Sequence, residues 1–358
     1  MPGKLFTPFV LGDLELQSRV VMAPMTRCRA PGNIPAKSVA LYYAQRSEAG
    51  LIITEGTAPS PDGLGYPRIP GIFSTEQVSG WRKVTKAVHD RGGRIFVQLM
   101  HTGRVGHPEN LPDEARLLAP SAIAAPGEMF TDTKGLLPHP VPTAMDAADL
   151  HGAIDSFAQA ALLAVQHAGF DGVELHGANG YLIDQFLNTA SNERDDKWGG
   201  SVEGRVRFAV QTARRVAMTI GNNRVGMRIS PFGVFNGMTP DAQMIPLYES
   251  LVDKLSGLGL AYLHMVDHSS LGAPAIPAGL RHNLRQRFDG AFILSGGYDK
   301  VRADEELDSD SGDLVAFGRP FIANPRLVTR MREDVPLAAP DDKLFYAGGD
   351  EGYIDYPE

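Results

Sequence analysis

The sequence predicts a (β/α)8 barrel, and three observations carry that reading. Eight short apolar runs recur along 358 residues, at 20–22, 51–54, 95–99, 172–175, 225–229, 262–266, 292–294 and 314–317. Amphipathic segments of helical period separate them, so the runs read as strands of a parallel sheet buried on both faces, and eight such repeats close into a barrel. The rival fold, an open dinucleotide-binding sheet, requires a Gly-x-Gly-x-x-Gly turn after its first strand. Here the first run is followed by Pro24-Met25-Thr26-Arg27, and that fingerprint occurs nowhere in the chain.

Taken in order, residues 5–16 read as a hairpin turning at Gly12-Asp13, a plug for the barrel floor. Helical patterns cover 39–49, 75–91, 145–168, 202–220 and 240–258, with weaker ones at 280–288, 300–307 and 325–331. Gly50, Gly92, Gly169 and Gly221 stand where left-handed helix caps are expected. The stretch 102–143, after the third run, is long and proline-rich. It reads as a lid-like insertion over the barrel mouth, within one domain spanning 1–358.

Bulk properties exclude several classes. A formal charge of −8 and a pI near 5.7 argue against nucleic acid and anionic membranes as partners. No apolar run approaches the roughly 20 residues of a membrane helix, and no signal peptide is evident at the N-terminus. The single cysteine, Cys28, excludes an intrachain disulfide framework and a cysteine-ligated iron–sulfur cluster. The expectation is a cytoplasmic protein, monomer or homodimer.

In such barrels the residues just past the strands form the active face. Those residues are Thr26 after the first run, Gly56-Thr57-Ala58 after the second and Gln98 to His101 at the third. His176, Asn179 and Tyr181 follow the fourth, and Arg228 and Ser230 lie at the fifth. Gly296-Gly297 follow the seventh and Gly318-Arg319 the eighth, where glycines let backbone N–H groups approach an anion and arginine adds a forked donor. That pattern points to a phosphate. Arg228, rising from an apolar strand, requires an anion or several acceptors if buried. Metal ligation has no support: the histidines are scattered, without a carboxylate–histidine cluster at ligand spacing. Histidine and asparagine can hold an oxygen while tyrosine delivers a proton, which suits chemistry that puts charge on a carbonyl oxygen and a proton on carbon.

Taken jointly, these strings resemble the Old Yellow Enzyme family of flavin-dependent alkene reductases. The matching pieces span the chain: Ala23-Pro24-Met25-Thr26-Arg27, Thr54-Glu55-Gly56-Thr57, His101-Thr102-Gly103-Arg104, the string from Val173 through His176, Asn179 and Tyr181 to Leu182, Ala316 to Pro325, and the tail around Phe345-Tyr346 and Tyr353. The resemblance implies a tightly bound, non-covalent FMN across the barrel mouth. Pro24, Met25, Thr26, the backbone of Ala58, Gln98 and Arg228 surround its ring and ribityl chain, and Gly296, Gly297, Gly318 and Arg319 hold its phosphate. It further implies hydride transfer from NADPH or NADH to the flavin, then to the β-carbon of an α,β-unsaturated carbonyl or nitroalkene. His176 and Asn179 hold the substrate oxygen, Tyr181 protonates the α-carbon, and Tyr66, Met100 and Tyr346 line the pocket. Cys28 stands two residues beyond the position where another branch carries cysteine, which assigns the classical branch. Met100 replaces a usual aromatic and softens the wall. Two alternatives stay open: a flavin barrel that reduces nitrate esters or other xenobiotics, and a non-catalytic flavin- or phenol-binding redox sensor.

Overall fold

The structure is a computed structural model that describes residues 3–357. Its centre is a closed parallel barrel of eight strands in sequence order: β1 (Val20–Met22), β2 (Leu51–Ile53), β3 (Ile95–Leu99), β4 (Gly172–Gly177), β5 (Val225–Ile229), β6 (Tyr262–Val266), β7 (Ala291–Ser295) and β8 (Leu314–Phe317). All eight coincide with the expected runs, with β4 continuing two residues further. The surrounding helices are α1 (Lys37–Ala44), α2 (Thr75–His89), α3 (Ala147–Leu162), α4 (Leu182–Leu187), α5 (Val202–Ile220), α6 (Met244–Ser256), α7 (Ala278–Arg287), α8 (Lys300–Asp308), α9 (Arg319–Ala323) and α10 (Leu327–Arg332). Capping boxes start α2 at Ser74 and α3 at Asp146, each satisfying otherwise orphaned N–H groups.

Three boundaries differ from expectation for physical reasons. The 39–49 pattern stops being helical at Ala44, and Gly50 is no left-handed cap: a Cβ there would lie 2.0 Å from the Ser18 carbonyl oxygen, so the glycine serves a close backbone approach. The 145–168 pattern runs as α3 and then widens into a π-helical turn, Leu163–Ala168, before Gly169 (φ 83°) ends it. The 240–258 pattern becomes helical only at Met244, after a turn that follows Pro240. Gly92 (φ 77°) and Gly221 (φ 92°) do take positive φ at helix ends.

Alternation along the strands sorts side chains into two populations. Val20, Ile52, Val97, Leu175, Met227 and Leu263 face outward into the layer shared with the helices. Val21, Leu51, Ile53, Phe96, Tyr262, Ile293 and Leu314 face inward and fill the lower barrel. Gly172 and Gly226 make room there, because an added Cβ would fall 2.4 Å from the Phe96 ring and 2.2 Å from the Tyr262 ring. The N-terminal hairpin, narrower than expected at Phe9–Leu11 and Leu14–Leu16, inserts Leu11 and Leu16 into this inward cluster and closes the floor. Above the apolar layer the inward positions turn polar: Gln98, Glu174, Arg228 and His264 are all buried.

The segment 102–143 carries its own antiparallel hairpin, Glu128–Thr131 with Gly135–Pro138, at the rim of the mouth. Arg68, from the loop after β2, pairs with Asp132 at its tip and also donates to the carbonyls of Cys28 (3.0 Å) and Tyr346 (3.3 Å).

A second long-range device fixes the C-terminal tail. Arg27 donates to the carbonyls of Phe345 (3.0 Å) and Gly352 (2.8 Å), and Arg29 to those of Leu344 (2.9 Å), Gly349 (3.0 Å) and Glu351 (3.0 Å). Tyr353 stacks on Tyr42 at 4.2 Å, with both arginines over its ring. Peptide carbonyls of the tail thus find cationic donors on the segment that follows β1, which sets Phe345 and Tyr346 against the mouth. Arg27→Met takes the donor from the Gly352 carbonyl and leaves the Phe345 carbonyl on the 3.2 Å bond from Arg29 Nη1, and the expected loss is about 2 kcal/mol of stability. It should appear as a lower denaturation midpoint together with tryptic cleavage near Lys343; a tail as resistant as the wild type's would contradict the clamp.

Candidate active site

Three adjoining cavities form one trough over the barrel mouth, because they share lining residues. The central one, about 380 Å³, is lined by Pro24, Met25, Thr26, Gln98, Met100, His176, Asn179, Tyr181, Arg228 and Arg319. Toward β7 and β8 it opens into a cavity of about 400 Å³ bordered by Gly296, Gly297, Gly318 and Arg319, with Pro24, Met25 and Arg228 common to both. On the other side, past Tyr66, Tyr181 and Tyr346, lies an outer lobe of about 570 Å³ walled by Met129, Phe130 and Leu136 of the rim hairpin. The structure therefore brings together every expected site residue except Ala58. Ala58 is fully buried behind Met100 and Tyr181 and is not among the lining residues, and its backbone is spent inside the protein: its N–H donates to the Pro70 carbonyl (2.9 Å) and its carbonyl accepts from Ile72 (3.0 Å).

The turn after β4 places Asn179 and Tyr181 beside His176 at the trough, and its shape follows from local bonds. Asn179 (φ 62°) and Gly180 (φ 74°) are left-handed, a conformation asparagine and glycine tolerate. The Asn179 N–H donates to Ser230 Oγ (2.9 Å), and the Gly180 N–H to Asp184 Oδ2 (2.8 Å). Gln185 Nε2 closes the turn on the Gly180 carbonyl (2.7 Å).

His176 Nδ1 accepts the Ala178 N–H at 3.3 Å, so the ring proton sits on Nε2. Burial first, then the charge of Arg228, holds its pKa well below the ordinary histidine value. His176 is therefore a neutral Nε2–H donor. Tyr181 packs edge-on against it (centroids 4.9 Å) and shares a 3.0 Å hydrogen bond with the Tyr66 hydroxyl. Burial pushes the Tyr181 phenol up to about 12, against a downward pull from Tyr66. It stays protonated at neutral pH. Met100 is buried on the trough wall; Gly56 admits it, since a Cβ there would lie 2.5 Å from its sulfur.

Beneath the trough, Glu174 accepts from Gln98 Nε2 (2.8 Å) and pairs with His264 Nδ1 (2.8 Å). Burial alone pushes the Glu174 carboxyl up, yet His264, Arg228 and Gln98 together hold it below the usual range, so it is ionised. Arg228 is in register with His176 on one side and His264 on the other. Its buried Nε meets no acceptor among the described residues. A buried guanidinium proton without a partner is costly, and an electron-rich ring edge in the trough would satisfy it. At the far end, Gly296 (φ 128°) and Gly297 (φ 65°) take positive φ, and a Cβ on Gly296 would fall 2.0 Å from the Asp267 carbonyl oxygen, whereas a Cβ on Gly318 would meet nothing nearer than 3.6 Å. That is an open cradle flanked by a cation. These features fit a flavin nucleotide.

Sequence reasoning missed Glu174, His264 and His268 as site residues. Glu174 was legible in principle as a carboxylate inside a strand buried on both faces. His268 Nε2 lies 2.7 Å from Asn179 Oδ1, a contact across 89 residues with no local signal.

Residues 4–338 match the NADH:flavin oxidoreductase / NADH oxidase family. The chain is 40% identical to a probable flavin mononucleotide-dependent alkene reductase of Leishmania infantum, covering 99% of this chain and 97% of the relative. It is 39% identical to 12-oxophytodienoate reductase 7 of Oryza sativa subsp. japonica, over 99% of this chain and 94% of the other. Among solved structures it superposes on morphinone reductase with a TM-score of 0.96 and 44% identity, covering 100% of this chain and 96% of that one.

If Nδ1 accepts from Ala178, nitrogen NMR of His176 should show the Nε2–H tautomer and no titration in the ordinary histidine range, because burial and Arg228 hold its pKa well below it. A midpoint near the ordinary histidine value would overturn the neutral-donor assignment.

Proposed function

The chain belongs to the Old Yellow Enzyme family of NADH:flavin oxidoreductases, and from that premise we propose that it is an FMN-dependent ene-reductase using NADPH or NADH. The observation that carries this reading is the trough itself: a glycine cradle at one end, an unsatisfied buried arginine in the middle, and a neutral donor set beside a protonated phenol at the other.

Gly296, Gly297, Gly318 and Arg319 hold the FMN phosphate, and Pro24, Met25, Thr26, Gln98 and Arg228 meet its ring and ribityl chain without a covalent link. FMN held by these residues would supply hydride-transfer chemistry, with NADPH or NADH as the reductant. His176 Nε2–H and the Asn179 amide hold the oxygen of an α,β-unsaturated carbonyl or nitroalkene. Neutral donors fixed in a buried site gain most as charge grows on that oxygen, so they favour the transition state over the resting substrate. Tyr181 hands its proton to the α-carbon, and Tyr66, hydrogen-bonded to it, stabilises the phenolate left behind. Tyr66, Met100 and Tyr346 shape the wall on which the substrate rests, and the rim hairpin of 102–143 acts as a lid beyond them. Activated alkenes are thus the small-molecule partners.

The test is spectroscopic. Purified protein should be yellow, lose that colour anaerobically with NADPH or NADH, and regain it with cyclohexenone; failure of every activated alkene to restore it would sink the proposal. Tyr181→Phe should slow reoxidation by enones about a hundredfold while leaving reduction by nicotinamide nearly intact, because only the first needs the proton. Equal loss in both half-reactions would assign Tyr181 another role. With the phenol pushed up to about 12, reoxidation should stay flat between about pH 6 and about pH 9, since the acid remains protonated throughout; a fall across that window would mean a different acid.

A further inference from the structure

His268, in the loop after β6, lines the trough beside Arg228 and reaches the candidate donor set through Asn179. Its Nε2 lies 2.7 Å from Asn179 Oδ1. An amide oxygen only accepts, so the imidazole must donate, with its proton on Nε2. The rest of Asn179 is already fixed: its N–H is bonded to Ser230 and its carbonyl accepts from Asn236 Nδ2 at 2.7 Å. The His268 ring is itself held in place. Phe235 packs edge-on against it with centroids 4.6 Å apart, and its own carbonyl accepts from Leu271 (2.8 Å) and Ala273 (3.2 Å).

The one freedom left to Asn179 is which end of its amide faces the cavity. The two ends are nearly equal in shape and opposite in function. With Oδ1 turned to His268, Nδ2 presents N–H donors to a substrate oxygen. With the amide reversed, Oδ1 would set a lone pair against that oxygen and cancel the contribution of His176.

We infer that His268 is a positioning residue for the reaction: its Nε2–H pins Asn179 Oδ1 so that the amide nitrogen faces the substrate oxygen. The assignment rests on the proposed function, because the donor end matters only if an oxygen binds there. Burial holds the His268 ring at about 4, with Arg228 adding to the shift, which keeps the ring neutral and its single proton committed to Asn179. The chain thus uses two neutral histidines differently: His176 donates to the substrate, and His268 donates to the group that donates beside it.

The test uses FMN-loaded protein and two probes of the oxygen site: affinity for para-hydroxybenzaldehyde, whose phenolate mimics the charged oxygen, and the cyclohexenone reoxidation rate. His268→Phe keeps an aromatic ring against Phe235 and removes the donor; it should weaken phenol binding and slow reoxidation about tenfold each, the scale of one misplaced hydrogen bond. His268→Gln, whose amide nitrogen can reach the position of Nε2, should restore most of both. FMN content and thermal midpoint should match wild type in each variant, which a merely structural role would not allow. If the Phe variant fails to retain FMN, His268→Asn, polar but too short to place the donor, should show the same loss. Wild-type phenol affinity in His268→Phe, or no rescue by Gln in a protein that retains FMN, overturns the inference while the ene-reductase reading stands. A wild-type protein that binds no phenol and reduces no enone brings down that reading, and this inference with it.

Discussion

A carboxylate and a guanidinium share the inside of this barrel, and much of the site follows from reconciling them. Arg228 points up from β5 into a nearly closed interior, where an unbalanced charge costs several kcal/mol even after relaxation. Glu174, on the neighbouring strand, supplies the balance and is itself satisfied by Gln98 and His264. Strand periodicity then does the rest. Two residues past Glu174 on the same face of β4 stands His176, in register with Arg228. The strand that neutralises the arginine therefore also presents the donor at the mouth. A hydrophobic replacement at Glu174 would disturb both the floor of the trough and the group above it.

The turn after β4 extends that order outward. Asp184, pushed up to about 7 by burial, accepts from Gly180 and lies within reach of Ser230 and Tyr248. Ser230 in turn holds the Asn179 N–H. Groups from β5, α4 and α6 thus set a left-handed turn that places His176, Asn179 and Tyr181 against one cavity. The positive φ at Asn179 is tolerated because asparagine accepts it and because the segment is bonded on both sides. From the opposite edge, the arginine clamp on the tail brings Tyr346 to the same cavity.

The fold was legible because a barrel strand is buried on both faces and so leaves a short, continuous apolar run bounded by turns. The glycines after β7 and β8 were legible as part of the barrel's active face for the same reason, and they border the trough: a strand end is readable, and a glycine there leaves the backbone open. Legibility failed where a residue's meaning depends on a distant partner. Ala58 was expected at the flavin, but its N–H and carbonyl are committed to Pro70 and Ile72, a pairing no local pattern announces. Arg27 and Arg29 carried no sign that their acceptors lie more than 300 residues away. His268 sits in an irregular loop beside aspartate and serine, where a histidine ordinarily means nothing. The π-helical turn at Leu163–Ala168 was invisible because its apolar spacing continues that of α3.

The distribution of charge along the trough has a chemical logic. Its cations, Arg228 and Arg319, lie in the middle and at the cradle end, where under the proposed function a ring edge and a phosphate would carry negative charge whether or not a reaction is under way. The oxygen end has only neutral groups: His176, His268, Asn179 and a protonated Tyr181. A cationic histidine there would bind any resting anion tightly and could surrender its proton to the oxygen, leaving none of the charge that drives protonation at carbon. A neutral donor does neither. Under the proposed function it would stabilise the oxygen in proportion to the charge that develops, and it would leave proton delivery to the phenol of Tyr181. The burial that lowers both histidines and raises the tyrosine thus keeps all three neutral, and under the proposed function it would separate charge stabilisation from acid catalysis within a single small cavity.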